Sequence, residues 1–375
     1  MNRIVRAMIQ TAAIMACSTG QAQTPPPIPT ILHSEPAPQW NAKFANTKGW
    51  IGGDAVYSVA LNQQRVLWLF GDTLLGTVQD GKRAGATMVN NTIALQTGLD
   101  KDASIRFLSG EGRDDKPAAF FTPTDGKGWF WPQAAVCEGD RLFLFLAQMD
   151  KGEHPGVFGF RQIGQWLAVI ENAADDPQQW RMQFRPVPFA RFDRTRLQSW
   201  GSAVLAEDDS MYVYGYQEKS KEIGSRKLLL ARVPAGKLTD FTKWRFRTSD
   251  GWSERAEEAT PLAGGLATEF SVHRMPGERG YVLVTTENGL GNRIVGRFAG
   301  SAVGPWSAPM LLYRCPEMAR DKGVFCYAAK AHPWAAKDDE LLVSYCVNAW
   351  EFARLFREEK LYRPQFVSVK LDFTK

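Results

Sequence analysis

The chain has 375 residues, 44% of them hydrophobic, and a formal charge of +5. The charge is scattered with no Lys/Arg block, so the basic footprint of a nucleic-acid binder is absent from the sequence. Beyond the first residues no apolar run is long enough to span a bilayer as a helix, and a barrel or propeller could take up the length as one unit.

Arg3 and Arg6 precede an apolar run from Ala7 to Ala16, and Gly20-Gln21-Ala22 follows. This predicts a secretory signal peptide over 1–22, cleaved after Ala22, and a periplasmic or secreted protein. Cys17 offers the alternative of a lipid anchor. The Pro-rich stretch Thr24 to Pro38 is read as a tether, giving a linker over 23–39 and a single catalytic domain over 40–375. Four cysteines remain after the leader. Cys315 and Cys326 bracket a short loop and are the preferred disulfide pair, whereas Cys137 and Cys346 read as buried thiols on strands. With no CxxC and no Cys/His cluster, no structural zinc site and no cofactor are expected, a structural Ca²⁺ being the one ion left open.

From Trp50 onward helical periodicity is nearly absent, and a hairpin unit recurs five times. The units open at Asp54, Pro132, Trp200, Glu269 and Tyr327. They turn at Asn62-Gln63-Gln64, Glu138-Gly139-Asp140, Glu207 to Ser210, Pro276 to Gly280 and Lys337 to Glu340. Each returns through a stronger aromatic or aliphatic strand, and most continue into an outer strand and a Trp-bearing segment (Trp180, Trp244, Trp306). A repeat of roughly 40 to 70 residues with two to four strands is what propeller blades produce. The predicted fold is therefore all-β, a five-bladed β-propeller, whose last blade is completed by the strand from Gln365 or by the segment before Trp50.

In that fold, starts of first strands and ends of second strands share one face. The inner ring becomes Asp54, Trp131 or Gln133, Trp200 or Ser202, Glu269 and Tyr327. The outer ring becomes Asp72, Gln148, Tyr216, Thr286 or Glu287, and Asn348. A turn centred on Gln63 pairs Ser58 with Trp68, Val56 with Phe70 and Asp54 with Asp72. Two carboxylates opposed across a ladder cannot both ionise cheaply, so one pKa should rise. That split serves general acid and base or nucleophile roles in glycoside hydrolysis. Asp54, Asp72 and Glu269 are the candidate catalytic residues. Trp131, Gln133, Trp200, Ser202, Tyr327 and Asn348 are the candidate substrate-binding residues. Turn chemistry explains Asp54 and Asp72 equally well. His273 reads as a satisfied core histidine and His332 as mainly structural.

Gly53-Asp54-Ala55, Ser58 and Leu67-Trp68-Leu69-Phe70-Gly71-Asp72-Thr73 resemble the domain-of-unknown-function family 4185. So do Trp200-Gly201-Ser202-Ala203-Val204, Tyr212-Val213-Tyr214-Gly215 and Leu230-Ala231-Arg232-Val233-Pro234. That family includes endo-D-arabinanases of glycoside hydrolase family 183. The resemblance implies a five-bladed propeller that cleaves furanosidic linkages in a polysaccharide such as D-arabinan. Its two first-blade aspartates fall by position on Asp54 and Asp72. More distant five-bladed glycosidases use three carboxylates, for which Glu269 is the third candidate here. The alternatives are a non-catalytic carbohydrate-binding propeller and a Ca²⁺ ion held by Asp54, Asp72 and amide oxygens.

Overall fold

The computed structural model describes residues 28–374, apart from 101, 154–155, 194–195, 220–223 and 338. The expected leader, Cys17 and the start of the linker lie outside the described residues.

Those residues form an all-β protein with a few short helices. Five antiparallel sheets of four or more strands follow one another along the chain. The first holds Tyr57–Ala60, Arg65–Phe70, Thr92–Thr97 and Ser104–Leu108. The second runs from Trp129–Glu138 through Arg141–Lys151 and Phe160–Ile170 to Met182–Pro186. The third is centred on Arg196–Glu207, Ser210–Lys219 and Lys227–Pro234. The fourth contains Phe270–Arg274, Tyr281–Thr286, Arg293–Ala299 and Met310–Arg314. In the fifth, Val324–Ala331 and Glu340–Ala349 are joined by both ends of the described chain, Gln365–Asp372 and Thr30–Pro36. Every hairpin unit expected from the sequence is a strand pair.

The strands explain how the sheets stack. Successive side chains of a strand point to opposite faces. Leu67 and Leu69 pack with Phe130, Leu144 and Leu146 of the second sheet. Val66, Trp68 and Phe70 pack with Ala328, Leu342, Cys346 and Phe366 of the fifth. Both faces are covered, which is why the strand reads as a continuous apolar run rather than an alternation. Equivalent clusters join second to third around Phe145 and Trp200, third to fourth around Tyr214 and Phe270, and fourth to fifth around Val284 and Val343. Five apolar interfaces thus link the sheets cyclically.

The Pro-rich tether is corrected from Thr30 onward. Thr30–Pro36 is the outer strand of the fifth sheet, and Pro38–Lys43 is a short helix that buries Trp40. Proline is tolerated on an edge strand because its missing N–H breaks no inner ladder. The preferred disulfide is corrected as well: all four described cysteines are free thiols. Cys315 and Cys326 do adjoin, their ligand atoms and a Glu317 carboxylate oxygen lying within 4.8 Å of one another.

Between its second and third strands the first sheet carries an insertion. Thr73–Gln79 and Lys82–Val89 pair with Lys48–Gly53 as a separate three-stranded sheet. The chain leaves this three-stranded sheet at Gly53-Asp54, returns to it at Gly71-Asp72 and leaves it again at Asn90.

Candidate active site

The opening hairpin holds the expected register. Ser58 pairs with Trp68, and the same register resumes at Gly53 and Thr73 in the inserted sheet. Between them the ladder breaks, because Ala55 and Val56 adopt left-handed backbone with φ of 64° and 56°. Val56 and Phe70 are therefore not a ladder pair. Asp54 and Asp72 nevertheless meet: the Asp54 amide donates to the Asp72 carbonyl at 3.3 Å, and the Gly71 amide to the Asp54 carbonyl at 3.1 Å. A Cβ on residue 71 would sit 2.6 Å from Asp54 Oδ1, so any side chain there would displace the carboxylate. Non-glycine residues held left-handed cost roughly 1–3 kcal/mol each and persist where surrounding contacts impose them.

The two carboxyls are partly buried, and each has its own donors. Asp54 Oδ2 accepts from the Tyr327 hydroxyl at 2.7 Å and the Tyr362 hydroxyl at 3.0 Å. Asp72 Oδ1 accepts from Trp131 Nε1 at 2.9 Å and Asn90 Nδ2 at 3.2 Å. Desolvation first, then the charges of Asp72 and Glu269, push Asp54 up to about 8 against the pull of the two phenols. Desolvation pushes Asp72 up to about 6, held back by the indole and the amide. Around neutrality the pair therefore keeps one proton, mainly on Asp54. Desolvation also raises Glu269, while Lys330 and Arg226 oppose that rise and Thr268 Oγ1 donates to it at 3.4 Å. One acid that holds its proton beside one that releases it can donate to a leaving group and attack or activate on the opposite side.

The structure thus brings together Asp54, Asp72, Trp131 and Tyr327 by direct hydrogen bonds and Glu269 through its field. The other expected residues make no hydrogen bond to these acids among the described residues. Trp200 is fully buried between the second and third sheets, its ring 5.0 Å from Phe246 and its Nε1 on the Phe189 carbonyl. The cause is a register shift between Trp200 and Ala203 with Gly201 at φ 89°, which turns Trp200 into the core. The space beside Gly201 is filled: a Cβ there would lie 2.1 Å from the Phe145 ring. Ser202 is fully buried with no hydrogen-bond partner among the described residues. Gln133 is buried and accepts from Gln165 at 2.8 Å. The Asn348 side chain accepts from the Ala349 amide, a local cap on its own strand.

Of the remaining outer-ring positions, Gln148 ties down Asp125 and the Lys127 carbonyl. Thr286 accepts from the Ala329 amide, and Glu287 pairs with Arg293 at 2.5 Å. The Tyr216 hydroxyl lies 3.5 Å from Gln162. His332 is satisfied by Ser58 at 2.6 Å and Ser344 at 2.8 Å. His273 is buried, but neither ring nitrogen has a partner among the described residues, and burial lowers it to about 4.

Three site residues escape sequence reasoning. Tyr362 comes from the loop before the last strand. Arg83 staples that loop by donating to the carbonyls of Glu359 at 3.0 Å, Leu361 at 2.6 Å and Ile51 at 3.1 Å, while the Gly53 amide takes the Tyr362 carbonyl. Asn90 ends the inserted sheet. Lys330 is a single cation within an apolar strand, and that is the signal that could have exposed it.

Residues 38–371 match the sequence profile of a family described as a domain of unknown function, DUF5005. The likeness to family 4185 rests on its motifs alone. No functionally curated protein matches the chain. A candidate hydrolase from Bacteroides ovatus shares the fold, with a TM-score of 0.70, 18% identity and 90% of each chain covered. More distant similarities include an α-L-arabinofuranosidase from Podospora anserina (TM-score 0.45, 10% identity, 87% of this chain and 92% of that one). Another is a GH43_1 enzyme from Xanthomonas citri (TM-score 0.44, 14% identity, 88% and 92%).

Proposed function

The chain belongs to the DUF5005 family, and we propose that it is a glycoside hydrolase on a five-bladed β-propeller, cleaving furanosidic linkages in an arabinan-type polysaccharide outside the cytoplasm. The observation that carries this reading is the Asp54–Asp72 pair, joined by backbone hydrogen bonds and given unequal proton affinities by burial of both and by the charges of Asp72 and Glu269 on Asp54. Asp54 is the general acid. Asp72 is the nucleophile or base. Their adjacency in register favours a short carboxyl spacing, and retaining glycosidases use a gap of about 5–5.5 Å. Glu269 adds negative charge that keeps Asp54 protonated.

Aromatic rings support a saccharide as the ligand. Trp131 contacts Phe160 at 4.6 Å, and Phe160 leads to Phe158 at 6.2 Å. From the other side Tyr327 contacts Phe325 at 5.5 Å, and Phe325 contacts Trp350 at 4.6 Å. Phe158 and Trp350 meet at 6.1 Å and remain half exposed. The two arms begin at residues bonded to Asp72 and Asp54 and end on solvent-facing rings, which suit the apolar faces of sugars. Purified protein assayed on D-arabinan, L-arabinan, fructans and aryl furanosides, with Asp72→Asn as the control, tests the reading. It expects release of reducing ends from a furanoside by the parent and none by the variant. Equal release by both, or none from any furanoside, would remove it.

A further inference from the structure

We propose that Lys330 is the positioning residue of the acid cluster, holding the left-handed turn after Asp54 and supplying the buried positive charge that faces Glu269. Its role in turnover rests on the glycosidase reading above, whereas its role in arranging the acids does not.

Lys330 lies in Val324–Ala331, the inner strand of the fifth sheet, and is 1% exposed. Its Nζ donates to the carbonyls of Ala55 and of Ala328, the latter at 2.7 Å. Both acceptors belong to left-handed residues, Ala328 having φ 57°. One follows Asp54 directly, and the other follows Tyr327, the phenol on Asp54. A single ammonium thus pins two strained turns whose preceding side chains are hydrogen-bonded to each other. The ammonium also lies 4.4 Å from the Tyr57 ring centroid, which favours the charged form over a neutral amine.

Every packed element presents a group to this charge. Asp54 and Tyr57 face it from the first hairpin, Glu269 from the fourth sheet, and Cys346 and His332 from the fifth. Burial lowers the Lys330 pKa, and the field of Glu269 is the largest influence raising it. Reciprocally, Lys330 is the strongest influence restraining the upward shift of Glu269. Lys330 is buried and Glu269 half-buried, and they share no direct ion-pair contact among the described residues, so the coupling runs through space. A conserved-length neutral side chain would leave Glu269 and Asp54 repelling each other without the cation between the sheets.

The test is a carboxyl ¹³C NMR titration of Glu269, Asp54 and Asp72 in the full chain and in Lys330→Met, which retains the length and loses the charge. The expected result is an upward move of the Glu269 midpoint by about one pH unit or more, a smaller rise for Asp54, and the smallest change for Asp72. Lys330→Arg should return Glu269 towards its original midpoint. Simple loosening of the packing would hydrate Glu269 and lower its midpoint, so the sign separates positioning from a merely structural role. An unmoved or lowered Glu269 overturns the proposal. Should Lys330→Met fail to fold, the Lys330 ¹⁵Nζ resonance of the unmodified protein decides instead: a charged ammonium at pH 7 supports the proposal, and a neutral amine overturns it. If Glu269 moves as expected but Asp54→Asn costs no turnover on any furanoside, the glycosidase reading falls and the assignment of Lys330 stands.

Discussion

Two polar clusters lie between neighbouring sheets, and they are built in opposite ways. Between the second and third sheets, Gln165 donates to Gln133 at 2.8 Å and accepts from Ser199 at 2.7 Å and from Gln162 at 3.0 Å. That network is neutral and its members satisfy one another. Between the first and fifth sheets, Asp54, Asp72 and Glu269 gather with Lys330 around left-handed turns, and burial raises all three acids. A satisfied amide network fixes one packing, whereas carboxyls displaced from their ordinary titration range are poised to move protons. A place between two sheets is common to both clusters. Charge that the fold does not neutralise distinguishes the one we assign to chemistry.

The sharpest way to break this contrast is to neutralise one member of each cluster. Asp72→Asn or Asp54→Asn should lower kcat by about 10³-fold or more, the scale of losing a nucleophile or general acid. Gln165→Ala should leave kcat within about tenfold and lower unfolding stability by ~1–3 kcal/mol, because it strands buried donors and acceptors. Denaturant unfolding and steady-state kinetics on the same furanoside measure both.

The next effect is on pH dependence. With Asp54 as the proposed acid and Asp72 as the proposed nucleophile or base, activity should rise through about pH 6 and fall through about pH 8. The Tyr362 hydroxyl favours the ionised form of Asp54. Tyr362→Phe should therefore move the alkaline limb upward while reducing kcat by about 10-fold through looser placement. A limb that stays put would mean that another group sets it.

Stability should answer in the reverse sense to activity. The folded-state affinity of Asp54 for its proton exceeds the unfolded one, so this group's contribution is full below about pH 4 and declines as pH rises through about 8. Asp54→Asn should accordingly raise Tm at pH 8 by about 2 °C or more and lose that advantage at pH 4, as read by calorimetry. The smallest effect belongs to the solvent-facing rings: Trp350→Ala should raise KM about two- to tenfold for long oligosaccharides and leave short aryl furanosides unchanged.

Much of the acid cluster was legible because a ladder has a fixed period. Pairing Ser58 with Trp68 places Asp54 beside Asp72 by counting alone, and the inserted sheet keeps that count at Gly53 and Thr73. Counting fails at bulges. The shift beside Gly201 carries Trp200 into the core and leaves Ser202 in a sealed position, and Gln133 and Asn348 spend their polar atoms on neighbours. Tyr362 and Asn90 were illegible for a different reason. They reach the acids from loops and strand ends whose placement depends on distant contacts such as those of Arg83, and local patterning does not encode these. The Pro-rich stretch misled in the same way, since an outer strand lacking partners on one side tolerates a composition that usually marks a tether.

Thr30–Pro36 lies antiparallel to Gln365–Asp372 in the fifth sheet. Their pairing spans nearly the whole described chain, so that sheet cannot be completed until synthesis has reached the last strand. The contact is the most non-local in the fold and carries a correspondingly large loop-closure cost. The fifth sheet also flanks the carboxyl cluster through Tyr327 and Lys330, on the strand at its opposite edge. Until the two ends have met, the sheet that carries Tyr327 and Lys330 beside Asp54 lacks its outer strand.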